Sequence, residues 1–290
     1  FASADQGEVL VPDRGQPPSA RWVSFFRGRA YYSGVSGREA FVWYSNPGFP
    51  EEVPLFNFFD VGSNDGEPVT GMVSYSDSIV VFKPSSMWQI TSLASGDPVL
   101  TKIDNGVGSV APKAAVVAGD TLLFVNRDGI YGFDGARAAS LTDPIAYYWG
   151  NVAVDWLENA VAWRNDKDKR VMFALPFEHK RELDTILTFH FDTGAWTTTE
   201  GRRVTAAAEY KGLALVGSNV TRTPETGAPR ESHDLFVDGL GYSLNHIGSD
   251  ERYGKYLSSA GEIQSLVRFG PFDQSRSGWA YDETMEVVGI

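Results

Sequence analysis

A chain of 290 residues with 42% hydrophobic and 13% aromatic content can bury a large core, which excludes intrinsic disorder as its class. The formal net charge of −12 repels phosphate backbones, so we do not expect a sequence-reading nucleic-acid binder. Cysteine is absent, which excludes disulfides and thiolate metal sites, and no apolar run is long enough to predict a membrane-spanning helix.

A repeated pattern follows the first 20 residues, which Pro12, Pro17 and Pro18 predict to be an irregular N-terminal arm. In each copy, a small turn rich in Gly or Asp leads into a short apolar run, a polar break and a second, often aromatic run. The copies start at Arg27-Gly28, Asp77-Ser78, Gly119-Asp120, Asp166-Lys167-Asp168-Lys169 and Lys211-Gly212. The starts recur about every 42 to 50 residues, which is the period of a four-stranded β-propeller blade.

The apolar runs of these copies have the composition of inner strands. Residues 79–82 and 122–125 are apolar at every position, which is typical of strands covered on both faces. We therefore predict an all-β fold, a β-propeller of five or six blades, over residues 21–260. Residues 261–290 are predicted to supply ring-closing strands or the start of a second β domain.

Three further features complete the predicted organisation. One short helix is expected after Thr142-Asp143-Pro144, where Thr142 or Asp143 can cap and Pro144 suits the first turn, and it should run towards Trp156 or Val161. Residues 219–232 are predicted to form an exposed, mobile loop, with Asn219, Arg222 and Arg230 as possible contact residues. The chain starts at Phe1 and ends in a strand-like segment, so we expect it to be part of something longer.

No residue pattern in the sequence predicts a catalytic, cofactor or metal site. The four histidines, His179, His190, His233 and His246, lack metal-ligand spacing. The segment Asn165-Asp166-Lys167-Asp168 resembles the start of a calcium loop, but lysines interrupt it and the final Glu is missing.

Two features leave a carbohydrate-related function open. Ser63-Asn64-Asp65-Gly66 is similar to the Asp-containing turns of sialidase propellers, although it lacks their closing aromatic residue. The eight tryptophans could stack on sugars, but most lie in strand-like or helical runs, which favours core packing. A glycosidase also needs two facing carboxylates, and the sequence identifies no such pair.

Several motifs in one order resemble a known family. They are Phe25-Phe26-Arg27-Gly28-Arg29-Ala30-Tyr31-Tyr32-Ser33-Gly34, Tyr44-Ser45-Asn46-Pro47, Thr70-Gly71, Ile79-Val80-Val81-Phe82-Lys83, Gly106-Val107-Gly108-Ser109-Val110-Ala111-Pro112-Lys113-Ala114 and, from Leu123 to Gly135, LFVNRDGIYGFDG. Over residues 21–200 their order and spacing resemble bacteriophage tail propeller proteins, namely the tail nozzle, hub and head-to-tail stabilisation proteins of short-tailed phages. The turn signature residues are Gly28, Arg29, Gly71, Gly108, Gly129, Tyr131, Asp134 and Gly135, and Gly129 and Gly135 are expected to need a positive φ.

The resemblance implies a non-enzymatic structural component of the virion without cofactors. Its expected partners are five further copies in a hexameric ring, other tail or connector proteins, and viral DNA that passes through the channel without sequence-specific binding. The expected location is the phage tail, after assembly in the bacterial cytoplasm. The acidic charge would keep the protein in solution or keep DNA from sticking to the passage. The alternatives are a carbohydrate-binding or glycoside-cleaving β-propeller, and a receptor-contacting tail tip that uses the 219–232 loop.

Overall fold

Antiparallel strands make up most of the computed structural model, which describes residues 14–178, 180–210, 213–222, 230–237, 242–245, 253–258, 266–268 and 287–288. The strands are β1 Trp22–Phe26, β2 Arg29–Val35, β3 Arg38–Tyr44, β4 Phe58–Asp60, β5 Gly71–Tyr75, β6 Ser78–Phe82, β7 Ser86–Ser92, β8 Pro98–Asn105, β9 Ala115–Ala118, β10 Thr121–Asn126, β11 Gly129–Phe133, β12 Ala138–Ser140, β13 Val161–Asn165, β14 Arg170–Leu175, β15 Leu183–His190, β16 Ala195–Val204, β17 Ala206–Tyr210, β18 Leu213–Arg222, β19 Arg230–Val237, β20 Tyr242–Asn245, β21 Tyr253–Ser258, β22 Leu266–Arg268 and β23 Val287–Val288.

The described strands form five sheets in which neighbours in sequence are neighbours in space. Four sheets have four strands each, β1 to β4, β5 to β8, β9 to β12 and β13 to β16, and the fifth runs from β17 to β23. A four-stranded antiparallel meander is the blade of a propeller. The prediction of an all-β propeller is therefore confirmed.

The predicted copy starts coincide with one kind of turn, the hairpin between the first and second strand of a blade. Arg27 and Gly28 join β1 to β2 with φ of 44° and 72°, as a twisted two-residue hairpin requires. Ser76 (φ 48°), Gly119 (φ 58°) and Lys169 (φ 50°) lie at the corresponding turns of the next three blades. Lys211 and Gly212 lie outside the described residues.

The second strand is the most deeply buried strand of the second, third and fourth blades. Every residue of β6 is buried, as are all residues of β10 after Thr121 and all residues of β14 after Arg170. The continuous apolar runs at residues 79–82 and 122–125 were therefore interpreted correctly as strands covered on both faces.

Apolar side chains connect successive blades within each of two compact units. The first unit comprises residues 1–112 and 134–138, and the second comprises residues 113–133 and 139–290. In the first unit, one cluster joins the first two blades through Tyr31, Val42, Val61, Val69, Ile79, Val81 and Ile90. In the second unit, another joins the last two sheets through Val161, Trp163, Met172, Ala174, Leu183, Ile186, Val204, Ala214 and Val216. A blade thus completes its core against the next blade.

The predicted helix is much shorter than expected. A 3₁₀ turn at Asp143–Ile145 leads into a single α-helical turn, α1 at Ala146–Trp149, and a separate 3₁₀ segment covers Val154–Asn159. The helix stops because Val152 bridges to Phe177 and the Ala153 N–H donates to the carbonyl of Pro176 at 2.8 Å. None of the helices in the described part of the chain is long or apolar enough to cross a bilayer.

The predicted 219–232 loop is also shorter than expected. Asn219 and Arg222 lie in β18, Arg230 lies in β19, and Arg222 pairs directly with Arg230. The longer hairpin includes Val220 and Thr221 in its backbone pairing, and β-branched residues such as these favour strands. Residues 223–229 lie outside the described residues, as do residues 1–13 of the predicted arm and most of residues 261–290, so the domain boundaries remain a prediction.

Candidate functional site

First strands of successive blades lie side by side within each unit. In the first unit β1 lies beside β5, and in the second unit β9 and β17 both contact β13. Polar side chains link these strands: the Ser24 and Ser74 hydroxyl oxygens are 3.1 Å apart, and Ser74 Oγ also donates to the carbonyl of Phe25. In the first unit, β1 is therefore held to β5 by side-chain hydrogen bonds.

Two arginines strengthen these contacts between blades. Arg27 in the first hairpin turn binds both carboxylate oxygens of Asp77 in the second, 50 residues further along. Arg164 on β13 donates to the carbonyl of Val117 at 2.9 Å and to Glu209 at 3.0 Å. These separations are close to the repeat length, so equivalent positions of neighbouring blades are joined by planar guanidinium groups.

The turn signature residues act within their own blades. Arg29 donates to the carbonyl of Ser45 at 2.8 Å, and Tyr131 donates to Asp128 at 2.7 Å. Asp134 accepts from the N–H groups of Arg137 and Ala136, and these bonds lower the pKa of its carboxyl. These local contacts shape individual turns and build no common chemical site.

The signature glycines have different physical roles. Gly28 and Gly135 have positive φ values of 72° and 98°, as expected. Gly129 does not, which corrects the prediction: a Cβ there would lie 1.9 Å from Thr142 Oγ1. Gly71 is likewise required for close approach, because its Cβ would lie 2.9 Å from the Pro112 side chain.

Substitution of Gly129 by alanine is expected to lower the free energy of unfolding by about 1–3 kcal/mol, the usual cost of overpacking. Thr142 cannot turn away freely, because its Oγ1 accepts from Ile130 N–H at 3.0 Å. Urea unfolding would measure the loss. Gly150→Ala is the matched control, because Gly150 has an ordinary φ of −59° and only ordinary contacts. Equal stability of the two variants would contradict the close approach.

A buried ammonium group is the most unusual polar feature of the first unit. Lys83 directly follows β6 and its side chain is fully buried. Its Nζ donates to the carbonyls of Val61 and Gly62 at 2.8 and 3.0 Å and to Asp65 Oδ1 at 2.5 Å. All three protons of the ammonium thus have acceptors, as a buried charge requires.

Lys83 also organises the chain on its other side. Its carbonyl accepts from the Ser109 N–H at 2.9 Å, and a Cβ at Gly108 would lie only 2.0 Å from that oxygen. Thr70 Oγ1 bridges the carbonyls of Phe82 and Ser109. The segments 61–65, 82–86 and 106–109 therefore meet at one residue. The sequence did not predict this role of Lys83, although Lys83 belongs to one of the motifs. The available signal was a lysine at the end of a fully apolar strand.

The free energy of unfolding is expected to depend on pH because the carboxyl group of Asp65 titrates. Burial raises the pKa of its carboxyl, but the hydrogen bonds from Lys83 and the Glu67 N–H and the nearby lysine charges outweigh this, so the pKa lies below its ordinary value. The ion pair therefore stabilises the fold above the unfolded-state pKa of about 4, and its contribution is lost as the pH falls through the lower folded-state pKa.

Chemical denaturation of wild type and Asp65→Asn between neutral pH and about pH 2 tests this. The stability difference should be largest near neutral pH and should narrow at acid pH. A constant difference would contradict the ion pair's role.

The calcium-like segment, the sialidase-like turn and His190 all have local bonding partners in the structure. Asn165 and Asp168 bond to each other, and Asp168 also accepts from Arg170 at 2.7 Å, so the calcium-like segment is an internally bonded turn. The sialidase-like turn is a 3₁₀ segment, Ser63–Asp65, whose Asp binds Lys83. His190 contacts Thr197, and in the described part of the chain no three His, Asp or Glu side chains could share a metal ion.

Comparisons with known proteins give similarities of fold only. No protein-family model and no curated protein sequence matches the chain. The WD40 domain of Neurospora crassa Pan2 aligns over 90% of this chain and 78% of its own, with 9% identity and a TM-score of 0.48. Kluyveromyces lactis Hsv2p aligns over 96% and 86%, with 10% identity and a TM-score of 0.43.

An ancestral GH74 enzyme aligns over 86% of this chain and 41% of its own, with 9% identity and a TM-score of 0.48. Similarities at this level carry no information about function.

Proposed function

We propose that this chain is a structural β-propeller component of a bacteriophage tail, a nozzle, hub or connector subunit that surrounds the path of the genome. The ordered blade motifs over residues 21–200 carry the proposal, because they resemble those of the tail propeller proteins in sequence and spacing. They include Arg27, which joins neighbouring blades, and Lys83 and Gly108, which join segments of the first unit. In this proposal the blade motifs serve assembly, and they do so by burying surface at interfaces.

Three carboxyl groups have the electrostatic surroundings of structural contacts. The pKa values of Glu39, Asp65 and Asp134 are each lowered. The Gly37 N–H lowers the first and the Arg137 N–H the last. The general acid of a glycosidase needs the opposite, a raised pKa near the working pH.

Exposed apolar side chains in the first unit support assembly into a ring. Phe25 on β1 and Phe49, Leu55 and Phe56 before β4 are more than half exposed, and Phe56 reaches 81%. Phe49, Leu55 and Phe56 belong to one short segment, and large apolar side chains exposed close together mark interaction surfaces. We infer that these residues contact a second copy of the chain in the ring.

Light scattering and negative-stain electron microscopy of the purified chain test the ring. We expect a six-membered particle, and Leu55→Ser with Phe56→Ser should dissociate it. Tyr147→Ser is the matched control, because Tyr147 is 82% exposed in the second unit. A stable monomer that cleaves or binds members of a glycoside panel would contradict the tail role and favour the carbohydrate alternative.

A further inference from the structure

A recess of about 270 Å³ lies in the second unit, and its walls are rich in basic side chains. Three of its lining residues are cations, Lys113 just before β9, Arg181 just before β15 and Arg203 near the end of β16. Glu182 also lines it, together with the polar Asn159 and Thr205. The recess therefore carries a formal surplus of two positive charges inside a chain whose net charge is −12.

Among the residues that the structure describes, the three cations have no carboxylate partner, unlike the neighbouring Lys180. Lys180, next to Arg181 in the chain, pairs with Glu178 at 3.2 Å and with Asp184 at 3.5 Å. By contrast, Lys113, Arg181 and Arg203 form no ion pair or side-chain hydrogen bond with any residue that the structure describes. In the described part of the chain, no side-chain acceptor therefore competes with a ligand for their N–H groups.

Arg181 is held in place by an aromatic ring. Its guanidinium lies over the Trp156 ring, with the guanidinium carbon 4.3 Å from the ring centroid. Stacking fixes the plane of the group and leaves its N–H edge free to donate in pairs to an oxyanion. Asn159 is fixed by the bond from its Nδ2 to the Trp156 carbonyl at 3.2 Å, so one tryptophan positions two lining residues.

We propose that this recess binds a phosphate group. Guanidinium groups match the oxygens of phosphate, and three cations against one carboxylate attract a dianion locally although the whole chain repels it. The phosphate can belong to a small phosphorylated molecule or to a nucleic-acid backbone, because the same oxygens would be recognised in both. The site lies within one unit, and its existence does not depend on the proposed tail role.

Isothermal titration of the intact protein with inorganic phosphate, and separately with a short oligothymidylate, tests the site. Ionic strength is held constant with sodium chloride, so that general salt screening is the same throughout. We expect saturable binding at one site. Arg203→Gln should weaken it about 10-fold or more, the effect of losing one charged hydrogen bond. Lys113→Gln should also weaken it.

Two variants separate a specific site from a general charge effect. Glu182→Gln should strengthen binding, because it removes the one negative group from the wall. Lys167→Gln removes a cation from the exposed β13–β14 turn and should leave binding unchanged.

Binding of inorganic phosphate that follows this pattern supports a site for small phosphates. Binding of the oligothymidylate alone, with the same pattern, supports a site for the nucleic-acid backbone. Absence of binding by both probes, or equal weakening by Lys167→Gln and Arg203→Gln, would overturn the proposal.

Discussion

Gly108→Ala is expected to destabilise the first unit by about 3 kcal/mol, the upper end of the usual cost of inserting an atom into a packed interior. The added Cβ would lie 2.0 Å from the Lys83 carbonyl oxygen and 2.8 Å from both the Pro84 carbonyl carbon and the Ser86 nitrogen. All three are backbone atoms, so no side chain can rotate to make room.

The surrounding hydrogen bonds prevent an easy adjustment of the backbone. The Lys83 carbonyl accepts from Ser109, and the Lys83 N–H donates to the Ser86 carbonyl at 2.9 Å. Urea unfolding followed by tryptophan fluorescence would measure the loss, with Gly150→Ala as the control for adding a methyl group. A Gly108→Ala protein within about 0.5 kcal/mol of wild type, the usual range of neutral surface changes, would contradict this packing.

Lys83→Met is expected to cost about 3 kcal/mol, because Lys83 is fully buried and each buried acceptor left without its donor costs about 1–3 kcal/mol, whereas Asp65 is partly exposed to solvent. Methionine nearly preserves the length of the side chain but leaves the carbonyls of Val61 and Gly62 without their donor. It also removes the closest positive charge from Asp65. The loss arises from unpaired polar groups rather than from a cavity.

Lys167→Met is the control for Lys83→Met, because it also replaces a lysine by methionine but at an exposed position in the β13–β14 turn. Its removal should change the free energy of unfolding by about 0.5 kcal/mol or less. A double-mutant cycle with Asp65→Asn should give a coupling energy of about 0.5–3 kcal/mol, as for other residues in direct contact. Additive effects of the two substitutions would show that the ion pair does not stabilise the fold.

The blades could be predicted because their signals are local. A twisted two-residue hairpin needs residues such as Gly28 or Gly119 that accept a positive φ, and a strand covered on both faces needs a continuous apolar run such as residues 79–82. Both properties depend on a few adjacent residues. The turns and the second strands of four blades were therefore found correctly.

The remaining features depend on contacts that are distant in sequence. Gly129 is needed because Thr142, from a later segment of the chain, lies against it. The charge of Lys83 is neutralised by Asp65, which also comes from another segment. The helix after Pro144 is stopped by strand-like contacts with residues 176 and 177. Local propensity predicts none of these, since each is decided by tertiary packing.

The acidic charge of the chain and the basic recess have opposite expected effects on nucleic acid. In the proposed tail role, the negative overall charge would let DNA pass without adhesion, whereas the recess would hold a single phosphate group. The two proposals can fail separately, because phosphate binding is measured on the purified chain and the tail role is measured on the virion.

If the proposed function is correct, the genome that carries this sequence is that of a phage, and electron cryomicroscopy of its purified virions would test the tail role most directly. We expect a ring in the tail whose subunit density fits the consecutive four-stranded blades, with the Arg27–Asp77 contact between the first two. Tails whose density and protein content, measured by mass spectrometry, do not include this chain would contradict the proposed function.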